Sequence, residues 1–451
     1  MSIRALAMSS VGLLTIAATS LTYAAEPTRE ELADEIRQLK ARIEQLEAKQ
    51  PAPGPSAADV DRVVRDVLAD AERRGHLLMQ DGEVTAGFDR ERAKFFIGSA
   101  DGNFLFMPGF LFQARNTTNI TTGDDDDVQN GFEIRRMRFY FVGNAFTPDL
   151  TYRFQWEASS NGGGVFLQDA FVRYRFADQW AVQVGQFYDE YSHEQSMLDP
   201  FMLAADRSLI NALIGGGQTE RVQGVMLLYD DHEHLGARVA LHDGANTDNT
   251  DWTESGGGSA FLGVTDPNFG ATGRVEYFFS GTRQAYETFT ALGTTEDLLT
   301  AGAGADFTQG GDSSALFHLI DLQYENTGGT SAYLALHGLW RDIGADSPVP
   351  AGEYYDWGVL AQAAHLFTRS CELFVRYDYI QIDEDALAAG AEDQFHEFTI
   401  GGNYYYRKHN VKITIDFTYL PNGVPINLPA LGFLAGDDDE FVIRAQLQLF
   451  I

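Results

Sequence analysis

The chain has 451 residues, with 65 acidic against 32 basic side chains, a formal charge of −33 and a single cysteine. Such a charge argues against a nucleic-acid partner. One cysteine, Cys371, leaves no intrachain disulfide to form, and nothing in the spacing around it suggests a reactive thiol.

Residues 1–24 carry one charge, Arg4, then an apolar run and the small-residue ending Thr22-Tyr23-Ala24, which reads as a secretory signal peptide. No later stretch has the length of an apolar spanning helix, yet an exported chain can still cross a membrane as a closed barrel. Residues 28–50 open with Thr28 and Glu31 at capping-box spacing and continue with Leu32, Ile36, Leu39, Ile43 and Leu46 at heptad steps. Glu35 with Lys40, and Arg42 with Glu47, then fall where parallel chains can pair them, so a self-associating coiled coil is expected. A single amphipathic helix lying on a surface is the plainer alternative. Residues 51–56, PAPGPS, form a stiff linker, and 57–76 a second charged helix with Val60, Val64, Val67 and Ala71 on one side. Together they read as a periplasmic stalk.

From Phe95 to Ile451 the chain is β-like. Its plainest stretch is 131–187, where Leu150, Tyr152, Phe154 and Trp156 share one face of a strand and Thr151, Arg153, Gln155 and Glu157 share the other. A soluble sandwich would show the same alternation. Extent separates the two folds. About sixteen such runs follow one another, from 103–114 and 132–144 through 298–308 to 440–451, and most short turns alternate with long acidic or Gly-rich loops. The long connections are expected at 115–131, 188–220, 243–269 and 421–439, while 280–297 breaks the alternation. The fold class expected is all-β: a 16-stranded antiparallel transmembrane β-barrel over residues 95–451, preceded by the short α-helical coiled coil. The last run, with Phe441, Ile443, Ala445, Leu447, Leu449 and Ile451 on one face, looks like the terminal strand by which outer-membrane barrels are recognised for assembly.

On these residues the chain resembles the phosphate-selective porin O and P family. Gly98-Ser99-Ala100-Asp101-Gly102-Asn103-Phe104 is similar to its barrel-opening segment, and Arg135-Arg136-Met137-Arg138 with Gly143 to its Arg-rich second strand. Residues 167–174, LQDAFVRY, and Val184-Gly185-Gln186-Phe187 resemble its most recognisable strand pair. The resemblance implies a 16-stranded, trimeric outer-membrane porin with its coil in the periplasm. Phosphate selection in that family uses lumenal lysines, whereas of the five lysines here only Lys412 is expected to face the lumen. Fold and channel function are therefore carried over, and the substrate is not.

By strand parity the inward-facing charges are Arg136, Arg138, Arg153, Arg173, Arg175, Arg238, Arg274, Arg376, Lys412 and Arg444, against Glu157, Asp169, Glu276, Asp306, Asp378 and Asp416. Arg136, Arg138, Arg153, Arg173 and Arg175 lie on neighbouring strands and are expected to form one basic wall, with Lys412 as a further lumenal cation. Charged rows of this kind set ion preference in pores. The competing reading ties these arginines into salt bridges. Loop 188–220 is the one expected to fold inward as the constriction, with Asp189, Glu190, His193, Glu194, Asp199, Asp206 and Arg207 as its candidate residues. If its carboxylates stay clear of the arginines, a weak anion preference is expected at physiological salt. At low salt it shifts toward cations, because the acidic runs at 124–127 and 437–440 are then unscreened.

No catalytic motif, cofactor site or metal-ligand spacing is present; His232, Glu233 and His234 read as a solvated turn. The function expected is a non-enzymatic, water-filled outer-membrane channel for passive diffusion of ions and small hydrophilic solutes, anions preferred. It is expected to be surrounded by outer-membrane lipid and to associate as a homotrimer. The alternative is a structural barrel tethered to cell-wall partners through its coil.

Overall fold

The computed structural model describes residues 84–89, 94–123, 127–158, 163–246, 258–259, 261–387 and 391–451. The expected signal peptide, coiled coil, linker and second helix lie outside the described residues. Two short strands, β1 (Val84–Asp89) and β2 (Lys94–Ser99), form a hairpin. The ring itself begins with β3 (Leu105–Thr122), β4 (Asp127–Ala145), β5 (Thr147–Ala158), β6 (Val165–Ala177), β7 (Trp180–Tyr188), β8 (Arg221–Asp230) and β9 (Leu235–His242). A two-residue ribbon of β10 (Gly258–Ser259) and β11 (Val264–Thr265) intervenes. The ring then continues with β12 (Pro267–Ser280), β13 (Leu298–Gly310), β14 (Ser313–Glu325), β15 (Thr330–Ile343) and β16 (Gly352–Leu366). It ends with β17 (Cys371–Gln381), β18 (Gln394–Arg407), β19 (Val411–Leu420) and β20 (Asp439–Phe450).

Each strand pairs antiparallel with the next, and β20 returns to β3 through pairs such as Phe441↔Ile120 and Leu449↔Phe112, closing a 16-stranded barrel. Closure removes both sheet edges and satisfies the backbone without help from solvent. Each expected strand overlaps one of the sixteen. Among the described residues no helix is long and apolar enough to cross a membrane. The outward side chains instead form an apolar surface that includes Phe139, Val184, Val239, Leu241, Val275, Leu336, Val375 and Ile400, all exposed. Period-two alternation is what divides them from the inward set.

One expectation about connections is corrected, and two further stretches take a form that the alternation did not describe. Residues 115–131, expected as a long loop, are mostly strand: β3 runs on to Thr122 and β4 starts at Asp127. The stretch Asn116-Thr117-Thr118-Asn119-Ile120-Thr121-Thr122 favours extended backbone through its β-branched residues, but it is polar on both faces and shows no alternation. The hairpin of β1 and β2 was not anticipated; it touches the barrel at Ile97↔Phe106 and Gly98↔Leu105. The irregular stretch 281–297, at the short-turn end, is no ordinary turn. After a short helix, Arg283–Tyr286, it places Phe289, Thr290 and Ala291 in buried positions, where the Phe289 carbonyl accepts from the Ser331 hydroxyl at 2.8 Å.

The interior is asymmetric. Against the inner faces of β14 to β18 the inward loop 189–220 packs Tyr191, Leu209, Ile210, Leu213 and Ile214 onto Phe317, Leu339, Leu360, Phe374, Ile380 and Phe395. That half of the barrel holds an apolar core like that of a soluble domain. Inward positions on β3 to β6 are polar by contrast, among them Gln113, Arg115, Arg136, Gln155 and Asp169.

Gly143 shows how closely β3 and β4 approach: a Cβ there would stand 1.8 Å from the Leu105 carbonyl oxygen and 2.9 Å from the Tyr152 hydroxyl. Backbone cannot yield as a side-chain tip can. Gly143→Val is therefore expected to lower barrel stability by about 1–3 kcal/mol, seen as a lower temperature of conversion to the unfolded band in heated gel samples. Unchanged heat resistance would show that the strands can separate there.

Candidate functional site: the inward loop and the charged lumen

Loop 189–220 leaves β7 at Asp189 and is closed at its base where the Asp189 N–H donates to the Glu220 carbonyl at 3.0 Å. Within the loop, Arg207 gathers the chain by donating to the carbonyls of Glu194, Gln195 and Met197 and to the Asp199 carboxylate at 2.7 Å. Glu194 accepts from both the N–H and the hydroxyl of Ser208. Burial raises Glu194 above its ordinary range. The wall supplies further acceptors: Asp416 to Ala205 N–H, Glu397 to Leu209 N–H and Asp378 to Ile210 N–H, at 2.8, 2.7 and 3.2 Å. Lys412 donates to the carbonyls of Pro200 and Met202. Thus Lys412, expected as a lumenal cation, lies buried as a strut beneath the loop.

The loop's carboxylates do meet the arginines. Asp206 is bound by Arg115 at 2.6 Å, Arg135 at 2.8 Å and Arg136 at 2.6 Å. Asp199 is bound by Arg136 at 3.1 Å, by Arg207, and by Arg138, which also holds Glu157 at 2.6 Å. Burial by itself would raise both aspartates, but the surrounding guanidinium groups hold them well below the usual carboxylate range. Arg153 pairs with Asp169 at 2.8 Å, and Arg175 with Asp149 at the short-turn end. Arg173 differs: its guanidinium donates to the side-chain carbonyl of Gln183 at 2.7 and 2.9 Å and, among the described residues, makes no carboxylate salt bridge.

Two residues of this network were not among the expected ones. Arg115 lay beyond the expected end of its strand. Arg135 is not among the inward positions expected by parity; a β-bulge between the pairs Gln113↔Arg136 and Ala114↔Ile134 leaves it outside the register and lets it join Arg136 on Asp206. An extra residue that reverses parity leaves no mark in hydrophobic alternation.

His193 stacks on Tyr286 with ring centroids 3.8 Å apart and donates from Nε2 to the Gln323 side-chain carbonyl at 2.8 Å. Burial, with Arg274 nearby, pulls it down to about 4, so it is neutral at physiological pH. This contact joins the inward loop to the 281–297 segment arriving from the other end. Asp189 lies with His242 and Asp306 in a buried group around the Thr272 hydroxyl. Of the loop's candidate residues Glu190 and His193 line the open cavity, Glu190 paired there with Arg238 at 2.9 Å.

A cavity of about 620 Å³ opens at the short-turn end. Its wall carries Arg173, the pair Arg175–Asp149, the group Glu190–Arg238–Glu276 and the pair Arg283–Asp230, with Glu287 beside them. His232 borders it from the turn between β8 and β9, where Asp231 accepts the N–H groups of Glu233, His234 and Leu235.

Residues 114–276 match the family model described as phosphate-selective porin O and P, the stretch that contains LQDAFVRY and the inward loop. The resemblance read from the sequence holds over that stretch. No curated protein matches the chain. Solved structures share its fold. The anion-selective porin from Comamonas acidovorans is 13% identical with a TM-score of 0.52, over 77% of this chain and 100% of that one. OmpF of Salmonella typhi, in complex with daunomycin, is 15% identical with a TM-score of 0.52, over 78% and 99%. The outer-membrane channel DcaP of Acinetobacter baumannii is 12% identical with a TM-score of 0.50, over 78% and 99%.

Proposed function

We propose that the chain is an outer-membrane diffusion channel for ions and small hydrophilic solutes, working by size and lumenal charge. The observation that carries this reading is a closed barrel whose long connection 189–220 folds inward and leaves a charged, open cavity beside it. A non-enzymatic role is supported by the resemblance to a porin family. Outer-membrane lipid would cover the apolar outer face, and the family resemblance supports a homotrimer with its coil in the periplasm. Planar-bilayer recordings on the purified protein test the reading: stepwise conductance of porin size is expected. A protein that inserts but never conducts would favour the tethered structural barrel instead.

Selectivity follows from which charges remain available. Arg136, Arg138 and Arg153 are spoken for by Asp199, Asp206, Glu157 and Asp169, whereas Arg173 faces the cavity hydrogen-bonded to the neutral Gln183, with Glu190 near it but paired to Arg238. A weak anion preference is thus assigned chiefly to Arg173. Arg173→Gln is expected to move the reversal potential in a salt gradient toward cations while leaving heat stability unchanged. Because charges more than about 8 Å apart are screened at physiological salt, the shift grows as salt is lowered. A reversal potential that stays put would transfer selectivity to the paired groups or to pore size.

A further inference from the structure

The first residue of the inward loop inserts its carboxylate between β9, β12 and β13. Asp189 Oδ1 lies 2.6 Å from the Thr272 hydroxyl, which is itself 3.0 Å from Asp306 Oδ2 and 2.9 Å from His242 Nε2. His242 Nε2 is 2.8 Å from Asp306 Oδ2. Thr308 donates to Asp306 Oδ1 at 2.8 Å and accepts the Ala245 N–H at 3.0 Å. All these side chains are buried, and among the described residues no arginine or lysine bonds either carboxylate. The ring of His242 occupies room that Gly270 leaves open, since a Cβ there would stand 2.1 Å from it.

The Gly244 N–H donates to His242 Nδ1 at 3.1 Å, so Nδ1 carries a lone pair and the ring proton sits on Nε2, aimed at Asp306. Asp306 then has a donor on each oxygen. Thr272 has one proton to offer two carboxylates. With both ionised, Asp189 has only that bond and a contact from the Thr219 hydroxyl, whose one proton is shared with the Gly216 carbonyl at 3.3 Å, and its Oδ2, buried, has no hydrogen-bond partner. Two negative charges would share a buried pocket with no arginine or lysine bonded to either, which is costly. One added proton completes the set: Asp189 Oδ1–H donates to Thr272 Oγ1, and the Thr272 O–H to Asp306 Oδ2. A divalent cation fits less well. It would need the Nε2 lone pair, which puts the ring proton on Nδ1 against the Gly244 N–H, the reverse of the usual outer-shell arrangement of a metal-bound histidine.

We propose that Asp189 is a protonated carboxylic acid sharing a buried hydrogen-bond chain with Asp306, and that loss of this proton unseats the base of the inward loop. Burial and the charge of Asp306 push Asp189 up to about 7. The sign follows: a carboxyl raised in the docked state favours docking below that value and loses it as pH rises through neutrality. The other groups facing it do not replace the proton. Asp243 beside His242 and Glu194 near Tyr191 are anionic or neutral. The neighbouring Arg221 is engaged by Asp169 and Glu220.

The test has an electrical arm, which rests on the channel reading, and an infrared arm, which does not. Single-channel conductance of the full chain should rise in one step between about pH 5 and about pH 8. Asp189→Asn, whose amide carries its own hydrogens, should remove the step. Asp306→Asn, which removes the neighbouring charge, should move it to lower pH. In infrared difference spectra the wild type should lose a carboxylic-acid carbonyl band over the same interval, and Asp189→Asn should lack that band. A wild type without the band overturns the protonated acid whether or not the protein conducts. A band without any conductance step in a conducting protein overturns the release of the loop. A step that disappears with chelator and returns with zinc overturns the proton in favour of a cation.

Discussion

A channel carrying Asp199→Asn and Asp206→Asn together is expected to conduct more current and to prefer anions more strongly than the wild type. The two carboxylates compensate five guanidinium groups on the loop and on β3 and β4, namely Arg115, Arg135, Arg136, Arg138 and Arg207. Removing one side of a buried ion pair costs about 3–5 kcal/mol, because the remaining charge is left without solvent or partner. That figure applies to a cluster and is not multiplied by its bonds. Since both aspartates are held well below the usual range, their contribution is complete above the ordinary carboxylate pKa and is lost only in strong acid, so neutral-pH recordings see it in full. The released loop should also become cleavable after Arg207 by trypsin. Wild-type conductance together with retained resistance to trypsin would mean that the ionic contacts do not hold the loop.

The second large effect is expected from the apolar side of the same loop. Ile210 and Leu209 are fully buried against the inner wall, and truncation of such side chains costs about 2–5 kcal/mol each. The double substitution Leu209→Ala with Ile210→Ala should also widen the channel, but with its ion preference unchanged and with little dependence on salt. The aspartate variant shifts selectivity and size together, whereas this one shifts size alone. Identical changes in both would show that selectivity simply follows width.

Parity of side chains carried most of what could be read in advance. Arg136, Arg138, Arg153, Arg274, Arg376 and Arg444 turn inward because residues two apart along a strand share a face, and no later contact can reverse that over a regular run. Loop 189–220 was legible as an inward loop through its length and place in the order of connections. Its partners were not legible. That Asp206 would meet Arg115 and two arginines in succession depends on a bulge at Arg135, and that Lys412 would lie under Pro200 depends on how the loop coils. The stretch 281–297 showed only as an irregularity, since Phe289 and Thr290 are buried by contacts with strands that follow much later in the chain. Pairings at such separations are set by the closed ring, not by any local pattern.

That closure bears on how the barrel comes to be made. Strand β20 can join β3 only after every intervening strand exists, as in the bond from Gln113 to Gln448, 335 residues apart. Ile451 exchanges backbone hydrogen bonds with Phe110 at 3.0 Å each. The entropic penalty of so long a closure grows only with the logarithm of the intervening length, about 0.6 kcal/mol per doubling. The kinetic burden is heavier, since folding slows as contacts become more distant in sequence. Until the seam forms, the chain presents two unpaired strand edges and an uncovered apolar inner wall, both open to wrong partners. The inward loop covers that wall from within. Once the loop has docked, that part of the wall is no longer open to capture by another chain, a consequence separate from any control of solute flow.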